Sequence, residues 1–117
     1  MNTPNIIYKI CTRDEWESAE QLGRFTGSAA DVADGFIHFS TAAQLRETAA
    51  KHFAGQTDLV VIAIDANRLG ESIKWEPSRG GELFPHLYAA LPTNSAIRVS
   101  PLPIGEDGIL LFPSPDK

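Results

Sequence analysis

The chain predicts a single α+β domain built on a mixed β-sheet. Three observations lead there. Two segments with helical spacing fall in the first half of the 117 residues, β-branched and aromatic runs dominate the second half, and no linker, repeat or low-complexity tract separates them. The length fits one domain spanning residues 1–117.

The elements follow in order. "NIIYKIC" (Asn5–Cys11) is β-branched and aromatic and reads as a strand. Thr12 followed by Glu15 matches a capping box, and Trp16, Ala19 and Leu22 then recur at three-residue spacing, which predicts a short helix with one buried face. "LGRFTGSAADVADG" (Leu22–Gly35) is rich in small and turn residues and reads as an irregular loop. "FIHF" (Phe36–Phe39) is a short strand. Ser40 or Thr41 caps a second helix, whose apolar face is Ala42, Leu45, Ala49 and Phe53 and which Gly55 ends. "DLVVIAID" (Asp58–Asp65) is the pattern of a central strand covered on both sides. "ESIKWEP" (Glu71–Pro77) alternates, with Ile73 and Trp75 on one face and Lys74 and Glu76 on the other. "SRGGELFP" reads as a loop and "HLYAAL" as a short extended piece. Ser95–Ile104 is a proline-interrupted edge strand, Asp107–Phe112 a turn and final strand, and 113–117 a frayed tail. The strand carrying His38 is expected beside the "LVVIAI" or "IYKIC" strand in one sheet.

Composition sets limits on function. Hydrophobic residues make up 43% and charged residues 21%, and the net charge is −5. An acidic chain has weak overall attraction to nucleic acid, so no extended nucleic-acid surface is expected. The longest strongly apolar run, Leu59–Ile64, is far short of the roughly 20 residues of a membrane helix, and the N-terminus lacks the pattern of a signal peptide. Cys11 is the single cysteine, which rules out an intramolecular disulfide. The chain reads as a cytoplasmic protein.

Two segments concentrate chemistry. In "ADGFIHFSTAAQL" (Ala33–Leu45), Phe36 and His38 share one face of a strand that opens directly into a helix. Helix N-terminal amides attract anions, so His38, Ser40 and Thr41 form a candidate phosphate site. A structural histidine beside an ordinary N-cap accounts for the same residues. In "KWEPSRGGELFPHLY" (Lys74–Tyr88), Glu76 lies on the polar face of its strand, Arg79 sits in a Gly-rich loop, and His86 and Tyr88 share a face. His38 and His86 are expected to face one cleft, with Glu76 or Tyr88 bonded to one of them. No short ligand spacing supports a metal site, Ser40 follows no nucleophile-elbow motif, and His52 reads as a solvated residue at a helix C-terminus.

Taken together, "ADGFIHFST", "WEPSRGG" and "FPHLY" resemble the signature segments of the family catalogued as domain of unknown function 952, over about Ile7 to Leu110. That family is grouped with the ADP-ribosyltransferase-like fold, which includes the tRNA 2′-phosphotransferases. The resemblance implies a compact split sheet with a central cleft, which in active relatives holds nicotinamide adenine dinucleotide (NAD). His38 and Ser40 map onto a cleft strand of the phosphotransferases. Tyr8 and Lys9 stand where those enzymes carry an aromatic residue and a cleft histidine. Glu76 and His86 compete for a late polar role.

Three readings stay open. The first is a transferase acting on NAD or a nucleotide or RNA phosphate, with His38, Glu76 and His86 as catalytic residues and Lys9, Ser40, Thr41, Arg79 and Tyr88 binding the ligand. The second is a non-catalytic pocket for a phosphorylated or nucleotide ligand. The third is an interaction domain with a degenerate cleft.

Overall fold

The computed structural model describes residues 6–53, 55–77 and 79–102, the Arg79 side chain excepted. Strand β1 (Ile6–Thr12) passes straight into helix α1 (Arg13–Leu22), because Thr12 serves both. Its backbone is extended, while its hydroxyl accepts from the Glu15 amide and the Glu15 carboxylate accepts from the Thr12 amide. Trp16 and Ala19 are buried as expected, but Leu22 is exposed. Three-residue steps drift about 60° around a 3.6-residue helix, so the third position has left the buried stripe.

The segment expected as an irregular loop contains two elements. Strand β2 (Arg24–Phe25) pairs with a later two-residue strand, and helix α2 (Ala29–Asp34) follows. Ser28 caps α2 in a second capping box, with Asp31 at the reciprocal position, and Gly35 ends it at φ 87°. The early helices therefore number three rather than two. Strand β3 (Ile37–His38) leads through Thr41, a third capping-box residue, into helix α3 (Ala42–His52). Leu45, Ala49 and Phe53 pack that helix onto the core, whereas Ala42 is exposed.

Strand β4 (Leu59–Asp65), β5 (Ile73–Pro77), β6 (Leu83–Leu87), β7 (Leu91–Pro92) and β8 (Ala96–Leu102) complete the described fold, with 3-10 turns at Ala66–Ser72, Arg79–Gly81 and Thr93–Ser95. They form three sheets, ordered β1-β4-β8, β2-β7 and β3-β6-β5. Every ladder among the described residues is antiparallel, so the mixed sheet expected from the sequence is corrected to several antiparallel ones. The strand carrying His38 also differs from expectation: β3 pairs with β6, opposite His86. It reaches β1 only two residues later, where the Ser40 amide donates to Tyr8 O (2.9 Å) and the Tyr8 amide to Ser40 O (2.8 Å). Chain geometry explains this. The strand begins two residues after Gly35, at Ile37, and four residues later Thr41 already caps a helix, leaving no length for a full ladder with β1.

β4 bears out the central-strand expectation. Val60, Ile62 and Ile64 face a core cluster shared with Trp16, Ile37 and Leu87, while Leu59 and Val61 face a second cluster under α3. A strand covered on both faces needs apolar residues at every position, which is the pattern of this run. The first cluster lies between the β1-β4-β8 sheet and the Ile37/Leu87 face of the β3-β6-β5 sheet. That sheet's opposite face carries the candidate site. Among the described residues β8 is an edge strand, and it holds Pro101; the final strand expected at Asp107–Phe112 and the tail fall outside the described residues. Cys11 is buried among apolar residues, and burial pushes its thiol up to about 12. No helix among the described residues is long and apolar enough to cross a membrane.

Candidate functional site

The site is built where period-two alternation lines up on three neighbouring strands. His38 lies opposite His86, and Lys74 lies opposite His86 on its other side. Phe36, Glu76 and Tyr88 project from the same face by the same alternation. The two histidine rings sit 5.6 Å apart, edge to face. Phe36 bridges the group: its ring stacks on His86 at 4.1 Å and 24°, and lies 4.7 Å from His38 and 5.2 Å from Tyr88.

Each histidine is held by a carboxylate. His86 Nδ1 donates to Glu76 Oε1 (2.8 Å), and the Tyr88 hydroxyl donates to the same oxygen (2.8 Å). These two hydrogen bonds, from His86 first and then Tyr88, hold the Glu76 carboxyl below its ordinary value. Donating to Glu76 in turn raises the Tyr88 hydroxyl. His86 is only 4% exposed beneath Phe36, whereas the Glu76 and Tyr88 side chains reach solvent.

His38 is bound from both sides. Its Nδ1 donates to Asp31 Oδ1 (2.6 Å), its backbone amide donates to the same oxygen (3.1 Å), and its Nε2 lies 2.9 Å from Asp34 Oδ2. Carboxylates only accept, so both ring contacts are hydrogen bonds only when both nitrogens carry hydrogen. Asp31 is the hub. Its Oδ2 accepts from the Lys9 ammonium (2.7 Å) and the Ser28 amide (2.9 Å). Asp31 is 2% exposed and Lys9 6%. Burial alone would raise the Asp31 carboxyl, but the His38 hydrogen bond and the Lys9 charge more than reverse it and leave it well below the carboxylate range.

Of the residues singled out in the sequence, the structure brings His38, Glu76, His86 and Tyr88 onto one face. Lys9 joins them only through Asp31. At the start of α3, the Ser40 and Thr41 groups expected to meet an anion have partners within the protein. The Ser40 amide is bound to Tyr8, and its buried hydroxyl shares a hydrogen bond with Thr48 Oγ1 (2.9 Å). The Thr41 amide donates to Gln44 Oε1 and its hydroxyl accepts from the Gln44 amide. Thr41 is an ordinary N-cap. The ring nitrogens of His38 meanwhile face carboxylates rather than open anion space. Arg79 lies in the turn between β5 and β6. Asp31 and Asp34 were not singled out. Their signal was the Ser28-x-x-Asp31 capping pattern, which places two carboxylates one helical turn apart just before His38. No group of three or more His, Cys, Asp or Glu side chains among the described residues is arranged to hold a metal ion.

The architecture is that of a small α+β domain of antiparallel sheets, with two carboxylate–imidazole pairs sharing one aromatic face. The chain belongs to the family described as protein of unknown function (DUF952), which matches residues 10–99. It is similar to protein CC0527 from Caulobacter crescentus. The crystal structure of CC0527 is 52% identical, with a TM-score of 0.88 over 91% of this chain and 93% of that one. A double mutant of CC0527 is 51% identical with a TM-score of 0.88 over the same shares, 91% and 93%. The solution structure is 52% identical, with a TM-score of 0.81 over 90% of each chain. No curated protein matches.

Proposed function

We propose that the protein is an ADP-ribosyltransferase-like enzyme that takes NAD as its group donor. The observation that carries this reading is Glu76: an ionised, solvent-reaching carboxylate fixed by His86 and Tyr88 beside the half-buried Phe36 ring. Transfer of a ribosyl group develops positive charge on the sugar carbon, and a preorganised carboxylate stabilises that charge. The face also carries Asp34 and the Tyr88 ring, so a flat cationic ring such as nicotinamide finds both π faces and negative charge there. His86, beneath Phe36, keeps Glu76 in place, which gives Glu76 rather than His86 the late polar role. His38 donates to a sugar hydroxyl once its Nε2 parts from Asp34. Arg79, next along from β5, is assigned to the phosphates.

A second reading is a non-catalytic pocket for the same ligand. Lys9 favours it: the residue standing where the transferases carry a cleft histidine is buried and bound to Asp31, out of reach of a ribose. One experiment separates the two. The protein is titrated with NAD and with ADP-ribose while melting temperature and nicotinamide release are followed. A ligand at 100 times its Kd adds about 2.7 kcal/mol of apparent stability. Stabilisation with release that falls at least 100-fold in Glu76→Gln supports the enzyme. Stabilisation without release supports the pocket. Neither effect from either compound rejects both.

A further inference from the structure

Helix α2 has an unusual basis for its position. Of its six residues, Asp31 alone is buried; Ala29, Ala30, Val32, Ala33 and Asp34 are exposed. A surface helix is ordinarily held by an apolar stripe against the core. Here a single carboxylate takes that place, bonded to Lys9 from β1 and to the His38 ring and amide from β3. The same helix carries Asp34, whose carboxylate sits at the outward nitrogen of His38. The approach to Asp31 is built into the preceding turn: at Gly27 (φ 114°) a Cβ would come within 2.8 Å of the Asp31 Cβ, so this turn requires glycine.

We propose that α2 is a flap latched by Asp31, and that Asp34 on the flap occupies the His38 Nε2 position that any incoming ligand must take. Segments with few buried apolar contacts open locally, well below the free energy of global unfolding. The latch is one carboxylate held by the Lys9 ammonium and the His38 ring and amide, and no apolar residue of α2 is buried, so the flap lifts as a unit and takes Asp34 with it. The two bonds to Ser28 travel with the helix, because they are its own cap. Lifting frees both nitrogens of His38, which is otherwise 36% exposed. This extends the reading of His38 above, but it does not depend on NAD being the ligand.

The test needs no ligand, so its outcome is independent of the NAD titration. Amide hydrogen exchange is measured by NMR in the native protein. The amides of residues 32–35, which donate within α2 and its cap, are expected to exchange at least 100-fold faster than those of β4. If they instead exchange at the β4 rate, α2 opens only with global unfolding and the flap does not exist. The double variant Lys9→Met/Asp31→Asn removes both charges without stranding either. It is expected to speed exchange at 32–35 by a further factor of 10 or more, with β4 still at least 100-fold slower than 32–35. An unchanged rate at 32–35 in a folded variant overturns the latch. Asp34→Ala, at an exposed position, is expected to move the His38 Nε2 nitrogen resonance and to speed exchange at 32–35 by less than the double variant does; an unmoved resonance overturns the role given to Asp34.

Discussion

At the scale of single residues, Asp31 carries more of the site's geometry than any residue singled out from the sequence. It ties β1, α2 and β3 together with hydrogen bonds of 2.6 to 3.1 Å, from Lys9, His38 and Ser28. Its carboxyl is held far below the ordinary 3.8 in the folded chain, so as pH falls the unfolded chain takes up this proton first. Its stabilising contribution is therefore fully present above about pH 4 to 5, and it is lost as pH drops below the ordinary carboxylate value. Asp31→Asn at pH 7 leaves the buried Lys9 ammonium without its carboxylate, and a lone charge of that kind costs about 3–5 kcal/mol. Urea denaturation at pH 7 and at pH 3 reads both effects. The wild-type protein should be less stable at pH 3. The variant should start lower at pH 7 and lose less on acidification, because part of the wild-type slope belongs to Asp31. Equal slopes in the two proteins would take the acid sensitivity away from this network and leave Glu76, the other depressed carboxyl among the described residues, as its candidate source.

At the scale of elements, capping does what the sequence suggested a ligand would do. All three α-helices among the described residues begin in a reciprocal capping box, at Thr12/Glu15, Ser28/Asp31 and Thr41/Gln44. The first and third were legible because apolar residues at helical spacing follow each cap. The second was hidden: α2 has no apolar stripe, since its buried face is one aspartate, so periodicity read "SAADVADG" as a loop. The face shared by His38, Glu76, His86 and Tyr88 was legible from alternation alone, because period two fixes which residues look the same way once strands pair. Which strands pair was not legible, since neither β3 nor β2 exceeds two residues. Thr41→Ala tests the assignment of Thr41 as a cap. Loss of an N-cap hydroxyl costs about 1 kcal/mol, so the melting temperature should fall by several degrees. Ligand response, measured as the shift in melting temperature on adding ADP-ribose, should be unchanged. A lost response with an intact melting temperature would return Thr41 to the ligand site.

At the scale of the whole molecule, the site stands on the back of the core. Ile37 and Leu87 alternate with His38 and His86 along the same two strands, and the apolar pair is buried against β4 and β1 while the polar pair faces outward. Loosening β4 therefore removes apolar support from Ile37 and Leu87, the residues that alternate with His38 and His86. Ile62 lies at the centre of β4, with no exposed surface, between Lys9 on β1 and Val99 on β8. Ile62→Ala removes a buried side chain from a position walled in by two neighbouring strands, where little collapse can fill the gap. Such truncations cost about 2–5 kcal/mol. If the three sheets form one cooperative unit, this loss appears everywhere at once. In a urea titration followed by NMR, amide signals of β1 and β6 should disappear together, with the midpoint lowered equally for both. Separate midpoints, with β6 surviving beyond β1, would mean that the β3-β6-β5 sheet and the residues on its outer face hold together without the central strand.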